Sequence, residues 1–573
     1  MSRFLTTLLA TATGSPHGMT TGDARAMARR TWPEIHAAAR RGAGALTAAG
    51  VGRGTVGVLA GEPGAIAPAV QAVWLVGGSV TMLHQPTSRT DLGAWAEETV
   101  GVLKMIGAEF VLLGAPFDGL APVLAGRGIP YRRLEDLSVD ETGDAVEPDA
   151  AVAGEDDTAL LQLTSGSTAE PKAVRITHRN LHANIGAMVT AAQLDPDGDV
   201  MVSWLPLFHD MGMVGFLTIP MTVGIELVSV TPTDFLRRPL LWAELISGHG
   251  GTVTAAPNFA YAVLARQLAR ADGPLDLSTL RFALNGAEPV DPDAVAAFTA
   301  AGARFGLRPE SVVCAYGMAE TALGVSFAPV DTGLQVDEID AVALEEHRRA
   351  VPAAVTEPHP TRPPRTSCET AAQRADQRGA TRRFPLLGPP LPGLEVRVVG
   401  DDGAVLSERE VGVLQLRGES VTPGYLTVDG PVATQDPDGW LDTGDEGYLA
   451  DGAVVVCGRR KDVIIMGGRN IYPTDIERAA SAADDVRAGN AVAVRLEADS
   501  GRHRESFLVA VESRRAGEPE AVQGIRKDVT SRVVLAVGVR PAEVVVLGPG
   551  SLPKTPSGKL RRAATRALLA ARS

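Results

Sequence analysis

The chain has 573 residues, of which 45% are hydrophobic and 21% are charged, proportions that are typical of a folded globular protein. A chain of this length is too long for a single compact core, so we expect at least two domains. Its formal net charge of −14 argues against a nucleic-acid-binding protein held by a general basic field, and we expect no nucleic-acid partner.

Lysine is rare in this sequence, since only six of the 54 basic side chains are lysines. An ammonium is a compact point charge on a flexible stem and a guanidinium is not, so the positions of the retained lysines are informative. Four of them fall in the motifs described below: Lys172, Lys461, Lys554 and Lys559.

The three cysteines, Cys314, Cys368 and Cys457, are far apart, which fits neither a metal site nor a disulfide framework. Unpaired cysteines of this kind suit a reducing compartment. No apolar run reaches the roughly 20 residues that span a membrane. We therefore predict a cytoplasmic protein with no membrane span.

The predicted elements of the first 330 residues alternate between helices and strands. The stretch EIHAAARRGAGALTAAG has a helical pattern that ends at glycine, and TVGVLAG and FVLLGA have the pattern of buried strands. A further strand, TALLQLT, leads directly into the loop at 163–178, and VMVSWLPL, IELVSV, GGTVTAAP and RFALNGAEPV continue the alternation. This order of elements predicts a layered α/β fold.

The segment at about 331–385 interrupts this pattern. It contains VDEIDAVALEEHRRAVPAA, which we interpret as a helix, and a run rich in proline and arginine, which predicts an exposed insertion. Strand patterns resume at LEVRVVG, and AGNAVAVRLE, VQGIRKDVTSRVV and AEVVVLG indicate a separate C-terminal region. We therefore predict an α/β protein with a large N-terminal region of layered α/β subdomains at 1–458, a hinge at 459–462, and a small mobile C-terminal α+β domain at 463–573.

The loop LTSGSTAEPKAVRITH, residues 163–178, has the composition of a phosphate-binding turn. Hydroxyl groups crowd around a glycine that permits close approach of the backbone, and the lysine that follows could reach back to a phosphate oxygen. A turn rich in serine and threonine is usually only a turn, so this interpretation depends on motifs elsewhere in the chain. The residues concerned are Thr164, Ser165, Gly166, Ser167, Thr168 and Lys172.

Three distant motifs support the phosphate-binding interpretation. In AYGMAET, an aromatic ring followed by glycine could stack a flat base, and Glu320 could ligate magnesium. In LDTGDEGYL, Asp445 in a tight turn could accept hydrogen bonds from a ribose diol. In LPKTPSGKLRR, Lys559 follows a glycine near the C-terminus, in a chain that otherwise uses arginine for positive charge. Taken singly, these motifs could equally be a buried tyrosine, a common turn and a basic tail.

Together the motifs resemble the adenylate-forming superfamily of acyl-CoA synthetases, peptide-synthetase adenylation domains and luciferases. TSGST, YGxxE, TGD, GRxKD and a C-terminal GK occur here in the order of that superfamily and extend over most of the chain. The resemblance implies that ATP and a carboxylate give an acyl-adenylate and pyrophosphate, with Mg²⁺ as the metal ion. It also implies that a thiol, of phosphopantetheine or of coenzyme A, then takes the acyl group.

The resemblance assigns ATP-binding roles to residues at the matching motif positions. The turn at 164–168 and Lys172 correspond to the phosphate loop, and Asp445 and Arg459 correspond to the ribose contacts. The adenine site that the resemblance implies consists of Gly286, Ala287, Glu288, Tyr316, Gly317 and Met318.

The resemblance also assigns the catalytic and hinge residues. Glu320 corresponds to the magnesium ligand, and Lys461 lies at the hinge position. Lys559 corresponds to the catalytic lysine. A cation is needed there because the carboxylate and the α-phosphate are both anions and repel each other as they approach.

Three further strings, SWLPLFHDMGMVG, APNFAY and NGAEPV, resemble the fatty acyl-AMP ligase branch of the superfamily. The segment VDEIDAVALEEHRRAVP resembles the insertion of that branch, which packs against the mobile domain and hampers the rearrangement that coenzyme A requires. His209 is implied to be a catalytic residue beside the substrate carboxylate, and the alternative is a packed histidine. The implied acyl pocket contains Met211, Gly212, Val214, Asn258, Phe259 and Tyr261.

The sequence departs from the superfamily pattern at three alanines. Ala169 and Ala173 stand where the phosphate loop usually has glycine. Alanine tolerates positive φ poorly, so the backbone of this loop could differ or be stiffer. Ala319 replaces the threonine of the YGxTE pattern, and alanine at this position is common in the acyl-AMP ligase branch.

We therefore predict an ATP-dependent ligase that activates a hydrophobic carboxylic acid. The acyl group would pass to a phosphopantetheine thiol, with an acyl carrier protein or a separate thioesterifying partner as the recipient. A complete acyl-CoA synthetase is the alternative within the enzyme class. An inactive relative that only binds nucleotide or a carrier is the second alternative, because two alanines replace glycines in the phosphate loop.

Overall fold

The structure is a computed structural model that describes residues 1–23, 26–86, 90–139, 152–164, 171–353, 381–496, 506–554 and 559–570. Contacts between residues divide the chain into two compact units. The first contains Met1–Leu334, Gly388–Glu395 and Arg417–Leu441, and the second contains Gln335–Leu387, Val396–Leu416 and Asp442–Ser573. A division by contact does not show where the chain bends, so the domain boundaries and the hinge at 459–462 stay predictions.

Many helices begin where the sequence supplies a cap. At the start of the second helix, Thr31 and Glu34 form a capping box and proline occupies the first turn, which satisfies backbone N–H groups that have no partner inside the helix. The helices of the first unit are α1 (Arg3–Gly14), α2 (Trp32–Ala48), α3 (Pro63–Leu75), α4 (Leu92–Met105), α5 (Ala121–Gly126), α6 (Leu134–Val139), α7 (His178–Ala191), α8 (Ile219–Val223), α9 (Pro232–Arg237), α10 (Leu241–His249), α11 (Asn258–Leu268) and α12 (Pro292–Gly302).

The strands of the first unit form two sheets of eight strands each. The expected strands in the first 330 residues are confirmed, including the strand that leads into the loop at 163–178. The strands are β1 (Gly18–Asp23), β2 (Ala26–Thr31), β3 (Thr55–Leu59), β4 (Ser79–Met82), β5 (Ala108–Leu113), β6 (Tyr131–Arg133), β7 (Thr158–Thr164), β8 (Lys172–Thr177), β9 (Val200–Ser203), β10 (Glu226–Ser229), β11 (Val253–Pro257), β12 (Phe282–Gly286), β13 (Val312–Gly317) and β14 (Gly324–Phe327), together with β19 (Gly424–Thr427) and β20 (Gly430–Ala433).

The first sheet has a parallel interior and an antiparallel strand at each edge, whereas the second sheet is parallel from β7 to its edge strand β6 and antiparallel from β7 to its other edge strand β20. The strand order is β14-β13-β12-β11-β9-β10-β1-β2 in one sheet and β20-β19-β8-β7-β4-β3-β5-β6 in the other. β9 to β13 run parallel in the first sheet, and β4 runs parallel to β7 in the second. Parallel strands bring their carboxyl ends to one edge, so the segments after β9, β12 and β13 meet at the same edge of the first sheet.

The second unit contains a four-stranded sheet and a separate three-stranded sheet. The four-stranded order is β17-β18-β21-β22, and the three-stranded order is β25-β26-β27. The strands assigned here are β15 (Val336–Asp340), β16 (Thr381–Pro385), β17 (Leu394–Val399), β18 (Gly412–Gly418), β21 (Leu441–Ala450), β22 (Ala453–Arg459), β23 (Ile464–Met466), β24 (Arg469–Ile471), β25 (Ala491–Leu496), β26 (Ser506–Glu512) and β27 (Glu543–Leu547), and the helices are α13 (Ala341–His347), α14 (Pro473–Ser481), α15 (Pro519–Val537) and α16 (Arg562–Ala570).

The C-terminal part of the second unit has its own hydrophobic core. On α15, Ile525, Val529, Val533 and Val537 recur every fourth residue and are all buried in one apolar cluster with residues of β25 and β26. A four-residue spacing places these side chains on one face of a helix. The expected fold class, a large N-terminal α/β region with a smaller C-terminal domain, is confirmed.

The insertion differs from its predicted secondary structure. The stretch VDEIDAVALEEHRRAVPAA was expected to be one helix, but Val336–Asp340 form β15, which pairs antiparallel with β16. Helix α13 begins only at Ala341, after the cap Asp340. The run rich in proline and arginine lies at 354–380, outside the described residues. Within the part of the chain that the structure describes, no helix has the length and apolar character needed to cross a membrane.

Candidate functional site

The predicted phosphate loop connects two paired strands. Thr164 ends β7, Lys172 begins β8, and the two residues are antiparallel partners. The Thr164 hydroxyl has no hydrogen-bond partner among the described residues. The loop between them includes Ser165, Gly166, Ser167 and Thr168, which lie outside the described residues, as does Ala169.

The second alanine of the phosphate loop does not disturb the backbone. Ala173 is part of β8, where it pairs with Leu163 on one side and Leu426 on the other. Extended backbone is available to any residue, so this position has no need of a glycine. The departure from the superfamily pattern at Ala173 is therefore compatible with an intact hairpin.

Lys172 lies beside a carboxylate and an aromatic ring. Its Nζ is 3.6 Å from Glu320 Oε1 and 3.7 Å from the centroid of the Tyr425 ring. The Tyr425 hydroxyl donates a hydrogen bond of 2.7 Å to Glu320 Oε1. Glu320 therefore contacts one cation, Lys172, and one neutral hydrogen-bond donor, Tyr425. We call Lys172, Glu320 and Tyr425 the phosphate-site cluster.

Strand register explains why these residues meet. In the β8–β19 pair, Lys172 is opposite Thr427 and Val174 is opposite Tyr425, so Lys172 and Tyr425 are diagonal neighbours on one face. Glu320 is in the short turn after β13, and its carbonyl accepts a hydrogen bond of 2.7 Å from the Thr422 N–H. Sequence reasoning missed Tyr425, because only the pairing of distant strands brings it to this place.

The phosphate-site cluster fits a magnesium–nucleotide complex. The Glu320 carboxylate is largely buried, and among the described residues no group of three or more His, Cys, Asp or Glu side chains could hold a metal alone. Mg²⁺ commonly keeps several waters and binds through one or two carboxylates and the phosphates of its substrate. A single carboxylate beside a lysine that is predicted to bind phosphate matches that pattern.

The predicted adenine segment follows β12. Gly286 ends the strand, and Ala287 has a φ of +65°, a left-handed conformation that is rare for alanine. Glu288 Oε1 accepts a hydrogen bond of 2.6 Å from the Phe259 N–H, and Asn258 Oδ1 accepts bonds of 3.1 Å from Asn285 and from the Asp291 backbone. These bonds join the loop after β12 to the start of α11 and fix the unusual backbone.

The other part of the predicted adenine site is the end of β13. The Tyr316 hydroxyl is 3.8 Å from the Met318 sulfur, and the Met318 N–H donates to the Leu323 carbonyl. A Cβ on Gly317 would lie 2.3 Å from the Leu323 carbonyl oxygen, so the close turn of the backbone requires glycine. β12 and β13 are parallel neighbours, which brings both predicted adenine segments to one edge of the sheet.

His209 stands before an eight-residue π-helix, Met211–Thr218. Its Nδ1 is 2.6 Å from Asp210 Oδ1 and accepts a hydrogen bond of 3.3 Å from the Met211 N–H, which also donates to Asp210 Oδ1 at 2.7 Å. Met211, Gly212 and Val214 are all buried in the π-helix. π-Helical segments are frequent at functional sites, because they re-aim side chains within a rigid frame.

A second histidine, missed by sequence reasoning, packs beside this segment. The His84 ring centroid is 5.7 Å from that of Phe208, next to His209. Burial, followed by the charge of His209, lowers the pKa of His84 to about 4, so the ring is neutral near pH 7. His84 follows β4, at the carboxyl end of a parallel strand. Ligand sites in α/β sheets lie at such ends, so this position could have indicated His84 as a candidate site residue from the sequence.

The residues of NFAY divide between two environments. The Phe259 ring is 6.4 Å from the Trp204 ring, at a T-shaped angle. Tyr261 is fully buried, packs on Trp242 and Phe298, and donates its hydroxyl to the Leu284 carbonyl at 2.8 Å. Burial raises the pKa of Tyr261 well above its usual range. Tyr261 therefore has a packing role here, and its contribution to an acyl pocket stays a prediction.

The predicted ribose residues form an ion pair in the second unit. Asp445 on β21 pairs with Arg459 on β22, and Arg459 Nε is 2.8 Å from Asp445 Oδ1. Thr443 holds both ends of this pair, since its hydroxyl accepts from the Asp445 N–H and its carbonyl accepts from Arg459 Nη1. The Asp445 carboxylate is buried, whereas about half of the Arg459 side chain is exposed.

Lys559 belongs to the segment 554–560, which we call the lysine loop and which is closed at its base. Lys554 and Leu560 form an isolated antiparallel bridge, and the Arg561 N–H donates to the Pro553 carbonyl at 3.0 Å. Residues 555–558, which include the glycine of the GK motif, lie outside the described residues. Lys461 is in the short turn Arg460–Asp462 that follows β22.

Comparison with known proteins identifies the family of this chain. The family model of AMP-binding enzymes matches residues 17–426. A Mycobacterium tuberculosis protein provisionally named ligase Rv1013 is 56% identical over 567 residues, which are 98% of this chain and 99% of that protein. A solved structure from a study of fatty acyl-adenylate ligases from E. coli and L. pneumophila is similar with a TM-score of 0.84 and 30% identity, covering 100% of this chain and 98% of that one.

Two further relatives carry more specific names. The medium-chain-fatty-acid–[acyl-carrier-protein] ligase JamA of Moorena producens is 34% identical over 427 residues, covering 72% of this chain and 67% of that protein. A Mycobacterium tuberculosis protein provisionally named fatty-acid–CoA ligase FadD25 is 30% identical over 437 residues, covering 72% of this chain and 70% of that protein. The phosphate-site cluster, the ordered motifs and these similarities lead to one conclusion: this chain belongs to the AMP-binding enzyme family of adenylate-forming ligases.

Proposed function

We propose that this protein is an acyl-AMP ligase. It joins a hydrophobic carboxylic acid to the AMP part of ATP, releases pyrophosphate, and passes the acyl group to a phosphopantetheine thiol of a carrier protein. The observation that supports this proposal most is the phosphate-site cluster, in which Lys172 and the Glu320 carboxylate lie 3.6 Å apart at the base of the predicted phosphate loop.

The first step brings two anions together. A carboxylate oxygen attacks the α-phosphorus of ATP, the bond from that phosphorus to the oxygen that bridges to the β-phosphorus breaks, and pyrophosphate leaves. Lys172 binds the outer phosphates, and Lys559 is assigned to the carboxylate and the α-phosphate, where negative charge develops. Glu320 would hold Mg²⁺, which would supply further positive charge to the phosphates.

The second step is acyl transfer. The thiol sulfur attacks the carbonyl carbon of the acyl-adenylate, the bond between that carbon and the phosphate oxygen breaks, and AMP leaves. The thiol proton is released in this step. Asp445 and Arg459 are assigned to the ribose in both steps, since their ion pair presents a carboxylate and a guanidinium side by side.

A hydrophobic acid is favoured by the apolar character of the segment after His209. Met211 and Val214 are buried in the π-helix, and Phe259 presents an aromatic ring beside Trp204. Apolar walls with few polar groups are typical of small-molecule sites. His209 is assigned to the carboxylate end of the acid.

A carrier protein is favoured as the acceptor by the contacts of the insertion within the second unit. Glu345 on α13 is buried and forms ion pairs with Arg382 of β16 and with Arg469 of β24. Arg382 Nε is also 3.1 Å from Asp475 of α14. These buried ion pairs connect the insertion to segments beyond the predicted hinge. Breaking a buried ion pair costs free energy, so the pairs oppose the rearrangement that coenzyme A would require.

Two alternatives remain to be distinguished by experiment. A complete acyl-CoA synthetase would transfer the same acyl group to free coenzyme A, and the name of the relative FadD25 favours this possibility. An inactive relative would bind ATP without turnover of any acid. The sequence gives no support to inactivity, because Glu320, Asp445, Arg459 and Lys559 are all present.

The test is a pyrophosphate-release assay with straight-chain acids of increasing length and with aryl and polycyclic acids. Reactions that release pyrophosphate are then repeated with free coenzyme A or with a phosphopantetheinylated carrier, and the products are identified by mass spectrometry. We expect acyl-adenylate without a thiol and acyl-carrier with the carrier present. Abundant acyl-CoA would establish the synthetase instead, and nucleotide binding without pyrophosphate release for any acid would establish the inactive relative.

A further inference from the structure

Arg562 contacts two acidic residues in separate elements of the second unit. It is the first residue of α16 and stands three positions after Lys559. Its Nε and Nη2 donate to the two carboxylate oxygens of Glu477 on α14, at 3.1 and 2.7 Å. Its Nη1 donates to Asp462 Oδ2 at 3.1 Å. We call these three residues the Arg562 clamp.

The geometry of the clamp requires a guanidinium. One edge of the planar group, formed by Nε and Nη2, makes a bidentate contact with Glu477, and Nη1 reaches Asp462 in another direction. A lysine ammonium is a point charge and cannot hold two carboxylates in a fixed relative orientation. Glu477 is fixed in turn, because its Oε1 also accepts a hydrogen bond of 3.0 Å from the Ala493 N–H of β25.

The position of Arg562 in its helix also needs an explanation. A cation in the first turn of a helix is disfavoured by the helix dipole, and α16 has no acidic residue there to offset it. The side chains of the clamp are mostly buried, with exposed fractions of 29% for Arg562, 21% for Asp462 and 17% for Glu477. Exposed ion pairs contribute little, but a largely buried bidentate pair can fix a backbone.

The clamp joins the lysine loop to the predicted hinge. Asp462 ends the short turn Arg460–Asp462, directly after Lys461, and Arg562 begins the helix directly after the bridge that closes the lysine loop. The base of that loop also contains the bridge between Lys554 and Leu560 and a backbone hydrogen bond from Arg561 to Pro553.

We propose that Arg562 is a positioning residue for Lys559, which it holds at a fixed place relative to Asp462 so that the lysine loop follows the hinge as one body. This inference rests on the proposed function, in which Lys559 acts in adenylation. It differs from a purely structural role, in which Arg562 would only stabilise the C-terminal core and its loss would affect every activity alike.

The test is a double-mutant cycle with Arg562→Lys and Lys559→Ala, measured by pyrophosphate release. We expect Arg562→Lys alone to lower kcat by about 10- to 100-fold, because misplacement of a catalytic group by about 1 Å costs this much. The KM for ATP should change by less than about threefold, because the proposed ATP-binding residues are untouched. In the Lys559→Ala background, Arg562→Lys should change kcat by less than about twofold, because the group it positions is already absent.

Hydrogen exchange tests the position of Lys559 without a measurement of catalysis. Hydrogen exchange of the amides at 559–562 should accelerate in Arg562→Lys, while exchange along the buried face of α15 stays unchanged. Asp462→Asn weakens only the contact between Arg562 and the predicted hinge. It should accelerate hydrogen exchange at 559–562 as well, but by less than Arg562→Lys does. Arg532→Lys is the matched control, because Arg532 pairs with Asp528 on the exposed side of α15 at 2.9 Å.

The outcomes separate this inference from the proposed function. Equal loss of activity from Arg562→Lys with and without Lys559, or exchange that accelerates throughout the C-terminal core, would overturn the positioning role. If Lys559→Ala alone keeps the wild-type rate, the assignment of the catalytic lysine in the proposed function fails instead.

Discussion

The phosphate-site cluster of the first unit and the lysine loop of the second unit are built in opposite ways. Lys172 and Tyr425 stand on adjacent paired strands, and Glu320 is tied through its carbonyl to Thr422. Lys559 stands on a short loop whose base is held by a bridge, a backbone bond and the Arg562 clamp.

This difference separates two tasks of one proposed reaction. Groups that bind phosphate act best when a strand ladder keeps them preorganised. A reactive ammonium that must reach the substrate at one step can instead be carried by a loop with a few removable anchors.

The largest effect is expected from Lys559→Ala. Removal of a charge that acts only in the transition state should lower kcat for pyrophosphate release by about 100- to 1,000-fold, with little change in the KM for ATP. Lys527→Ala, which removes an exposed lysine of α15, is the control. A large rise in KM with unchanged kcat would mean that Lys559 binds ATP in the way assigned here to Lys172.

The next effect concerns acid stability of the first unit. His84 has a pKa lowered to about 4 by burial, against an ordinary value near 6.5. Because the folded pKa is depressed, the unfolded chain gains the proton first, and stability present above about pH 6.5 is lost as the pH falls towards 4. The loss from this group should reach about 2 kcal/mol between pH 7 and pH 5.

His84→Gln should remove that part of the acid sensitivity. The measurement is the urea midpoint at pH 7 and at pH 5, followed by a probe in the first unit. His178, whose pKa burial also lowers to about 4, leaves a remaining pH dependence. If the urea midpoint falls equally in the variant and the wild type between pH 7 and pH 5, His84 is not buried as a neutral ring.

A smaller effect is expected from Tyr425→Phe. The ring over Lys172 stays, but the hydroxyl that donates to Glu320 is lost. We expect the Mg²⁺ concentration for half-maximal rate to rise about tenfold, as is usual when a partner of a metal ligand is removed. Calorimetric titration with Mg²⁺ and ATP in the absence of any acid should show the same shift.

Tyr425→Leu extends this comparison, because it also removes the ring that Lys172 contacts. It should weaken binding of ATP beyond the effect of the phenylalanine variant, by the loss of a cation–π contact. Tyr131→Phe, on the edge strand β6, serves as the control. Wild-type Mg²⁺ dependence in both variants would exclude Tyr425 from the site.

The smallest effect is expected from Glu345→Gln in the insertion. The amide cannot balance both Arg382 and Arg469, so the contact between insertion and C-terminal segments should loosen. We expect the rate of acyl-CoA formation to rise about fivefold, the low end of ordinary coupling energies, while adenylation is unchanged. Glu346→Gln, at the exposed neighbouring residue, is the control. Equal rates of acyl-CoA formation in both variants would show that the ion pairs of Glu345 do not restrict transfer to coenzyme A.

Much of the fold could be predicted from local patterns. The strand that leads into the loop at 163–178 and the buried face of α15 follow from local patterns, since a short continuous apolar run indicates a buried strand and apolar residues recur every fourth position in helices. The second half of that predicted loop, Lys172–Thr177, is strand β8 instead. The pattern failed at Val336–Asp340, because a five-residue stretch with mixed polarity next to a helix gives no signal for strand pairing with a segment more than 40 residues later.

The site was predictable only where a motif is continuous in sequence. Lys172, Glu320, Asp445 and Arg459 were named from short strings, and the structure places Lys172 beside Glu320 and Asp445 beside Arg459. Tyr425 and His84 were missed, because each lies in a short strand or turn without a distinctive string. Their significance depends on which distant side chain lies within a few ångströms.

The sequence by itself determined the family, the order of the elements and the residue types that the chemistry needs, because these depend on composition, spacing and motifs along the chain. Only the tertiary structure decided which partners hold those residues: Tyr425 on Glu320, Thr443 on the Asp445–Arg459 pair, and Glu477 with Asp462 on Arg562. Such contacts join positions that are remote in the chain, and their distances follow from strand register and helix packing, which no local pattern encodes.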